Sequence, residues 1–366
     1  TMDSYVTKNL NKRIDTRLPR LNKVVFVIKG EKGKGLGHCY RAWTIAQSLP
    51  SFIESKFVLT PNSYLGSSFC EQKNISQYQL AASDDDLLNI IAQAKPDLII
   101  NDVLNTSEAY VSTLKKLNTP IINFEDLGTG GIHADCVINA VYPKTGLGQE
   151  LSGHDYVDIR KEFFLHRKIS NTLSPSVRSI LLTFGGEDPS NLTQKTLEVI
   201  ARNDYLCQLN YVIALGGSYQ QPKEVMRFIQ EKSLNAEVFI GQDIAPLMAQ
   251  VDMAITANCR TVFEAAFMRL PTVVISANAR ECLHTFYRDA LFPYCGNGQL
   301  VDHSVIERQI LRLATNNQLR RTISNRLQTF DLSNGMNRII NQIIQLLNRS
   351  SSICNTEYQH ITEKAL

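Results

Sequence analysis

The stretch Gly33-Lys34-Gly35-Leu36-Gly37-His38-Cys39-Tyr40-Arg41 decides how this chain reads. The apolar run Val24-Val25-Phe26-Val27-Ile28 in front of it has the character of a buried strand. Behind it, Ala42-Trp43-Thr44-Ile45-Ala46-Gln47-Ser48-Leu49 carries apolar residues at helical spacing. Strand, glycine loop and helix in that order form a pocket for an anion. Glycine lets the backbone come close to a ligand, and the free N–H groups of the helix start face it. His38 falls at that helix start, where the positive end of the dipole favours a neutral ring able to accept a proton. A plainer reading of the same residues is an ordinary βα turn with a capping or surface histidine.

Working outward, strands are predicted at 23–28, 56–59, 97–102, 120–124 and 135–139, with helices at 41–49, 84–94 and 107–117. Residues 143–176 read as a connection, with an extended piece near 156–163. A second series begins at Arg178, with strands at 179–184, 209–214, 236–240, 253–255 and 272–275. Its helices are expected at 192–201, 244–250, 261–268, 305–314 and 337–348. The expected organisation is an arm over 1–21, a first half over 22–167, a second half over 175–348 and a polar tail over 349–366. This rhythm predicts an α/β fold of two doubly wound, Rossmann-like halves facing across a cleft.

Ligands of such sheets bind beyond the carboxyl ends of the strands. Asn101, Asp102, Glu125 and Asp126 fall at such ends, on the edge that carries the glycine turn. Glu125 and Asp126 read almost equally well as turn and capping acids. A second glycine turn is Phe184-Gly185-Gly186-Glu187-Asp188-Pro189-Ser190-Asn191, where Ser190 or Asn191 is expected to cap the next helix. A third is Thr256-Ala257-Asn258-Cys259-Arg260-Thr261-Val262-Phe263-Glu264. There the helix start and Arg260 suit a diphosphate, and Glu264, expected on the first turn, suits ribose hydroxyls. The plainer alternative is that Glu264 complements the helix dipole and Arg260 is solvated.

Composition narrows the classes. A chain of 366 residues with 43% hydrophobic content builds substantial cores, and a net charge of +3 gives no case for a nucleic-acid partner. The eight cysteines stand singly, with neither CxxC pairs nor zinc spacing, so no metal is expected and a reducing cytoplasm is the simplest location. No run is long enough to span a membrane, and the polar N-terminal segment has no signal-peptide core.

Together the motifs resemble a known family. Gly37-His38-Cys39-Tyr40-Arg41 is similar to the Gly-His-x-x-Arg signature of the UDP-2,4-diacetamido-2,4,6-trideoxy-β-L-altropyranose hydrolases of pseudaminic acid biosynthesis, which have the GT-B fold. The turn from Phe184 to Thr193, the element Tyr156-Val157-Asp158-Ile159-Arg160-Lys161-Glu162-Phe163 and the stretch from Ala254 to Ile275 resemble further motifs of that family. Ser333-Asn334-Gly335-Met336-Asn337-Arg338-Ile339 loosely resembles its closing motif. The resemblance implies hydrolysis of the UDP-sugar to UDP and free sugar, without cofactor or metal, in the making of a cell-surface glycan. It implies His38, Arg41 and Asp102 as the catalytic set. Gly35, Gly37, Gly185, Gly186, Asn258, Cys259, Arg260, Thr261 and Glu264 would hold the nucleotide, and Tyr156, Arg160, Asn191 and Glu281 the substrate. A glycosyltransferase of the same fold using a UDP- or CMP-sugar, and an inactive nucleotide-sugar binder, remain open alternatives.

Overall fold

The computed structural model describes residues 21–32, 36–146, 149–167 and 173–363, the side chains of 350–363 excepted. The expected Gly35 lies outside the described residues. The first half contains β1 (Asn22–Ile28), α1 (Gly37–Ser48), β2 (Ile53–Leu59), α2 (Tyr64–Gln72), β3 (Tyr78–Leu80), α3 (Asp84–Ala94) and β4 (Leu98–Asp102). It continues with α4 (Glu108–Lys115), β5 (Ile121–Phe124), β6 (Cys136–Asn139) and β7 (Glu150–Ser152). After α5 (Lys161–His166) the second half runs through β8 (Ser179–Thr183), α6 (Leu192–Arg202), β9 (Asn210–Leu215), α7 (Pro222–Glu231), β10 (Ala236–Ile240) and α8 (Ala245–Met248). Then come β11 (Met253–Ala257), α9 (Arg260–Phe267), β12 (Thr272–Ser276), α10 (Phe286–Asp289) and β13 (Tyr294–Asn297). The chain closes with α11 (His303–Thr315), α12 (Asn317–Leu327) and α13 (Gly335–Glu363).

Among the described residues the strands form two parallel sheets, ordered β3-β2-β1-β4-β5-β6-β7 and β10-β9-β8-β11-β12-β13. Strand β1 shows why such a sheet needs helices on both faces. Val24, Phe26 and Ile28 enter the core shared with α1, α2 and α13, while Val25 and Val27 enter the core under α3 and α4. Helix α3 starts where Ser83 Oγ accepts from Asp86 N at 3.1 Å, with three aspartates in the first turn beside the helix dipole.

Both sheets reverse strand order at one place, and that place fixes the site. Strand β1 has β4 as a neighbour, with Ile28 opposite Asp102. The loop after β1 therefore leaves the sheet beside the end of β4. In the second half β8 lies beside β11, with Thr183 opposite Thr256, so the Gly185-Gly186 turn emerges next to Asn258–Thr261. Gly185 sits at φ +86, which a residue with a Cβ rarely adopts. A Cβ on Gly216 would come within 2.1 Å of the Gly186 carbonyl oxygen, so the loops after β8 and β9 pack backbone against backbone.

Several expectations are corrected. Helix α1 begins at Gly37 rather than at Arg41, which brings His38 inside the first turn. The connection holds a strand at Glu150–Ser152 and the short helix α5, and the piece expected near 156–163 is extended at Val157 and Arg160 but helical from Lys161. Helices α2 and α7 lie where the sequence reading places no element. The expected polar tail from 349 onward is helical through Glu363 as the continuation of α13. Ile339, Ile343, Leu346 and Leu347 of α13 pack into the first half's core, so the chain crosses back after building the second half.

Candidate active site

Between the halves lies a cleft of about 420 Å³. Leu36, Gly37, Tyr40, Leu65 and Phe69 line it from the first half, and Arg160 from the connection. From the second half come the turn at Phe184–Pro189, the loop at Gly216–Ser218, residues Cys259–Thr261, and Glu264, Asn278 and Glu281. Of the expected nucleotide and substrate residues, Gly37, Gly185, Gly186, Cys259, Arg260, Thr261, Glu264, Arg160 and Glu281 are brought to this one cleft.

His38 follows Gly37 but is not itself in the lining, and 10% of its side-chain surface stays exposed. Its Nδ1 lies 2.6 Å from Asp102 Oδ1. An ionised carboxylate only accepts, so Nδ1 donates, and in the neutral tautomer this leaves the ring's lone pair on Nε2. Burial works against the Asp102 charge, but the Arg41 guanidinium and His38 outweigh it and hold the carboxyl well below the usual carboxylate range.

Arg41 is 3% exposed and is no ligand for substrate as placed here. Its Nε and Nη2 donate to the two Asp102 oxygens at 2.6 and 2.7 Å. Its Nη1 donates to Glu125 Oε1, and Nη2 to Glu125 Oε2 at 3.1 Å. Helix α1 thus supplies the histidine and the arginine, one turn apart, while the ends of β4 and β5 supply the acids. The expected catalytic residues His38, Arg41 and Asp102 are thus brought together in one hydrogen-bonded group. Among the described residues no hydrogen bond reaches His38 Nε2, whereas its Nδ1 edge is held by Asp102, itself held by Arg41.

Two arginines sit in the cleft, each already paired. Arg160 Nε donates to Glu264 Oε1 at 2.9 Å, and its guanidinium lies 5.6 Å from the Tyr40 ring centre. Arg260 Nη2 donates to the Asp158 carbonyl at 2.9 Å and lies 2.5 Å from Asp158 Oδ2, while Nη1 reaches the Gly37 carbonyl at 3.3 Å. Arg260 therefore ties the second half to the first glycine turn. Glu264 stands on the second turn of α9, not the first. Burial pushes the Glu281 carboxyl up to about 7, with one oxygen accepting from Ala277 N at 2.7 Å. Burial also pushes the Cys259 thiol up to about 12, which favours the protonated thiol at neutral pH.

Of the expected nucleotide and substrate residues that are described, Asn258, Asn191 and Tyr156 are not in the lining. Asn258 is buried and donates to Ser276 Oγ and to the carbonyls of Glu281 and His284, tying a loop rather than a phosphate. Asn191 accepts from the Tyr219 hydroxyl at 2.7 Å and donates to Gln221. Asp188, not Ser190 or Asn191, caps α6, accepting from Leu192 N and Thr193 N at 2.8 Å. Tyr156 packs against the first half's core. The sequence reading gave no weight to the cleft-lining Leu65 and Phe69, because α2 has no strong periodicity to announce it. Glu125 was legible only as an acid at a strand end. Among the described residues no three His, Cys, Asp or Glu side chains are grouped to hold a metal ion, and no helix is long and apolar enough to cross a membrane.

No protein-family model matches the chain. It is 28% identical over 289 residues to an uncharacterized protein of Methanocaldococcus jannaschii, a match that covers 73% of this chain and spans only 58% of that relative's length. It is 27% identical over 304 residues to the spore coat polysaccharide biosynthesis protein SpsG of Bacillus subtilis, covering 78% of this chain and 87% of that protein. Among solved structures it is similar to Acinetobacter baumannii MurG, with a TM-score of 0.62 at 13% identity over 88% of this chain and 99% of that one. The S. aureus MnaA–UDP structure gives 0.59 at 15% identity, covering 90% of this chain and 97% of that one. These likenesses, with the two facing parallel sheets, make the chain a two-domain α/β protein of the GT-B fold.

Proposed function

We propose that this chain is a hydrolase of a nucleotide-activated amino sugar, with UDP-2,4-diacetamido-2,4,6-trideoxy-β-L-altropyranose as the substrate its motifs imply. The observation that carries the reading is the His38–Asp102 pair at 2.6 Å, with His38 next in the chain to Gly37, which lines the interdomain cleft. His38 Nε2 takes a proton from water as the water oxygen bonds to the anomeric carbon. The bond from that carbon to the phosphate oxygen breaks, and UDP leaves with the electron pair. The Gly185-Gly186 turn and the start of α9 face the diphosphate, with Arg160 and Arg260 exchanging Glu264 and Asp158 for it. The relative in spore coat polysaccharide biosynthesis and the UDP-bound structural neighbour agree with a UDP-sugar enzyme of glycan synthesis.

A transferase is the second reading, favoured by the apolar wall of Leu36, Tyr40, Leu65 and Phe69, which suits an acceptor with apolar surface. Incubating the protein with a panel of UDP- and CMP-linked diacetamido sugars separates the two. Free sugar and nucleotide released without acceptor support the hydrolase. Turnover only after an acceptor is added rejects it.

A further inference from the structure

We infer that Glu125 is a positioning residue for the His38 base, and that Arg280 of the second half sets it by direct contact between the halves. This rests on the reading of His38 as base. Asp102 alone does not determine where its carboxylate lies, because a guanidinium paired on one edge can slide along its partner. Here the second edge is taken as well. Glu125 receives two N–H groups of Arg41, and the Phe124 ring lies 5.0 Å from the guanidinium carbon. With two edges and a face occupied, Arg41 has one place to be. Asp102 Oδ1 shares its lone pairs between Arg41 Nη2 at 2.7 Å and His38 Nδ1 at 2.6 Å, so the imidazole takes its orientation from the clamp.

Glu125 is itself held under tension. Its φ of +50 is a left-handed backbone conformation that a residue with a side chain rarely adopts. Glu125 N donates to the Ile138 carbonyl at 2.9 Å, and its own carbonyl accepts from Arg280 Nη2 at 3.2 Å. Arg280 Nη1 also donates to Asn105 Oδ1 at 3.1 Å, and its guanidinium stacks 5.2 Å from the Tyr142 ring centre. Arg280 follows β12, whereas Glu125, Arg41, Asp102 and His38 all belong to the first half. The path Arg280–Glu125–Arg41–Asp102–His38 therefore couples apposition of the halves to the alignment of the base.

The test uses the whole chain and three variants, Glu125→Gln, Glu125→Ala and Arg280→Ala, with UDP affinity and thermal melting as folding controls. The first readout is steady-state hydrolysis of the UDP-diacetamido sugar. Glu125→Gln should lower kcat by roughly 10²-fold, as expected of a small misplacement, with KM and UDP affinity within about twofold. Arg280→Ala should move kcat in the same direction by less. The second readout is the ¹⁵N shifts of the His38 ring nitrogens, assigned by loss of signal in His38→Gln. The native ring should show the Nδ1-protonated form, and Glu125→Gln a mixture. Wild-type kcat together with unchanged ring shifts in both Glu125 variants overturns the inference. If the native chain releases no free sugar, the hydrolase reading fails, and the ring shifts still decide whether Glu125 positions His38.

Discussion

Nδ1 of His38 and Oδ1 of Asp102 lie 2.6 Å apart, although 64 residues separate them in the chain. Parallel pairing of β1 with β4 brings them together, since it sets Ile28 opposite Asp102 and lets Lys29 N donate to the Asp102 carbonyl at 3.2 Å. A βα turn after β1 must then pass over the end of β4. The first prediction follows from that contact. His38→Ala should remove sugar hydrolysis while UDP still binds, because the ring is not in the cleft lining. Asp102→Asn should cost roughly 10⁴-fold in kcat by stabilising the wrong tautomer, as asparagine does in a Ser-His-Asp triad. Turnover that survives His38→Ala, measured as UDP release, would remove the imidazole from the mechanism.

Arg41 is expected to matter first to stability. Replacing it with methionine leaves Asp102 and Glu125 buried with no counter-charge, a loss of roughly 3–5 kcal/mol for breaking a buried pair from one side. Arg41→Lys should recover little, because an ammonium cannot serve two carboxylates on two edges. Urea unfolding of the two variants checks this, and a lysine variant as stable as the native chain would contradict it.

Glu264 faces the cleft while bonded to Arg160 at 2.9 Å. If it exchanges that partner for ribose hydroxyls, Glu264→Ala should weaken UDP binding by roughly tenfold or more, the scale of one charge-assisted hydrogen bond. Turnover of bound substrate should change less. Calorimetric titration with UDP reads the effect, and an unchanged affinity rejects the role.

Glu281 gives a pH signature. Burial raises its carboxyl from 4.5 to about 7 in the folded chain, so folding favours the protonated form. Its contribution to stability is complete below the unfolded value and is lost as pH rises through about 7. Denaturant midpoints measured between pH 5 and 8 should fall more steeply for the native protein than for Glu281→Gln, whose amide does not titrate. Parallel slopes would show that the carboxyl is not held protonated.

Much of the fold is legible in the sequence because its strands are buried on both faces and read as unbroken apolar runs, Val24 to Ile28 being the plainest. Helix α3 is read at its observed ends because Leu87, Leu88, Ile90, Ile91 and Ala94 make a clear apolar face over 84–94. Helix α2 is not, since Tyr64 to Gln72 mixes small and polar residues and takes its place from the cleft wall it supports. The crossing-back of α13 is equally silent, because an amphipathic helix does not say which core receives its face.

The chemistry divides in the same way. By itself the sequence determined the alternation of strands and helices, the glycine turns and the residue types at strand ends, all of which depend on local periodicity and backbone freedom. Only the tertiary structure decided which acids meet which bases. Pairing of Arg41 with Glu125, Arg160 with Glu264, Arg260 with Asp158 and Arg280 with the Glu125 carbonyl depends on sheet register and on the apposition of two halves. Those contacts join residues distant in the chain, and local propensity carries no term for them.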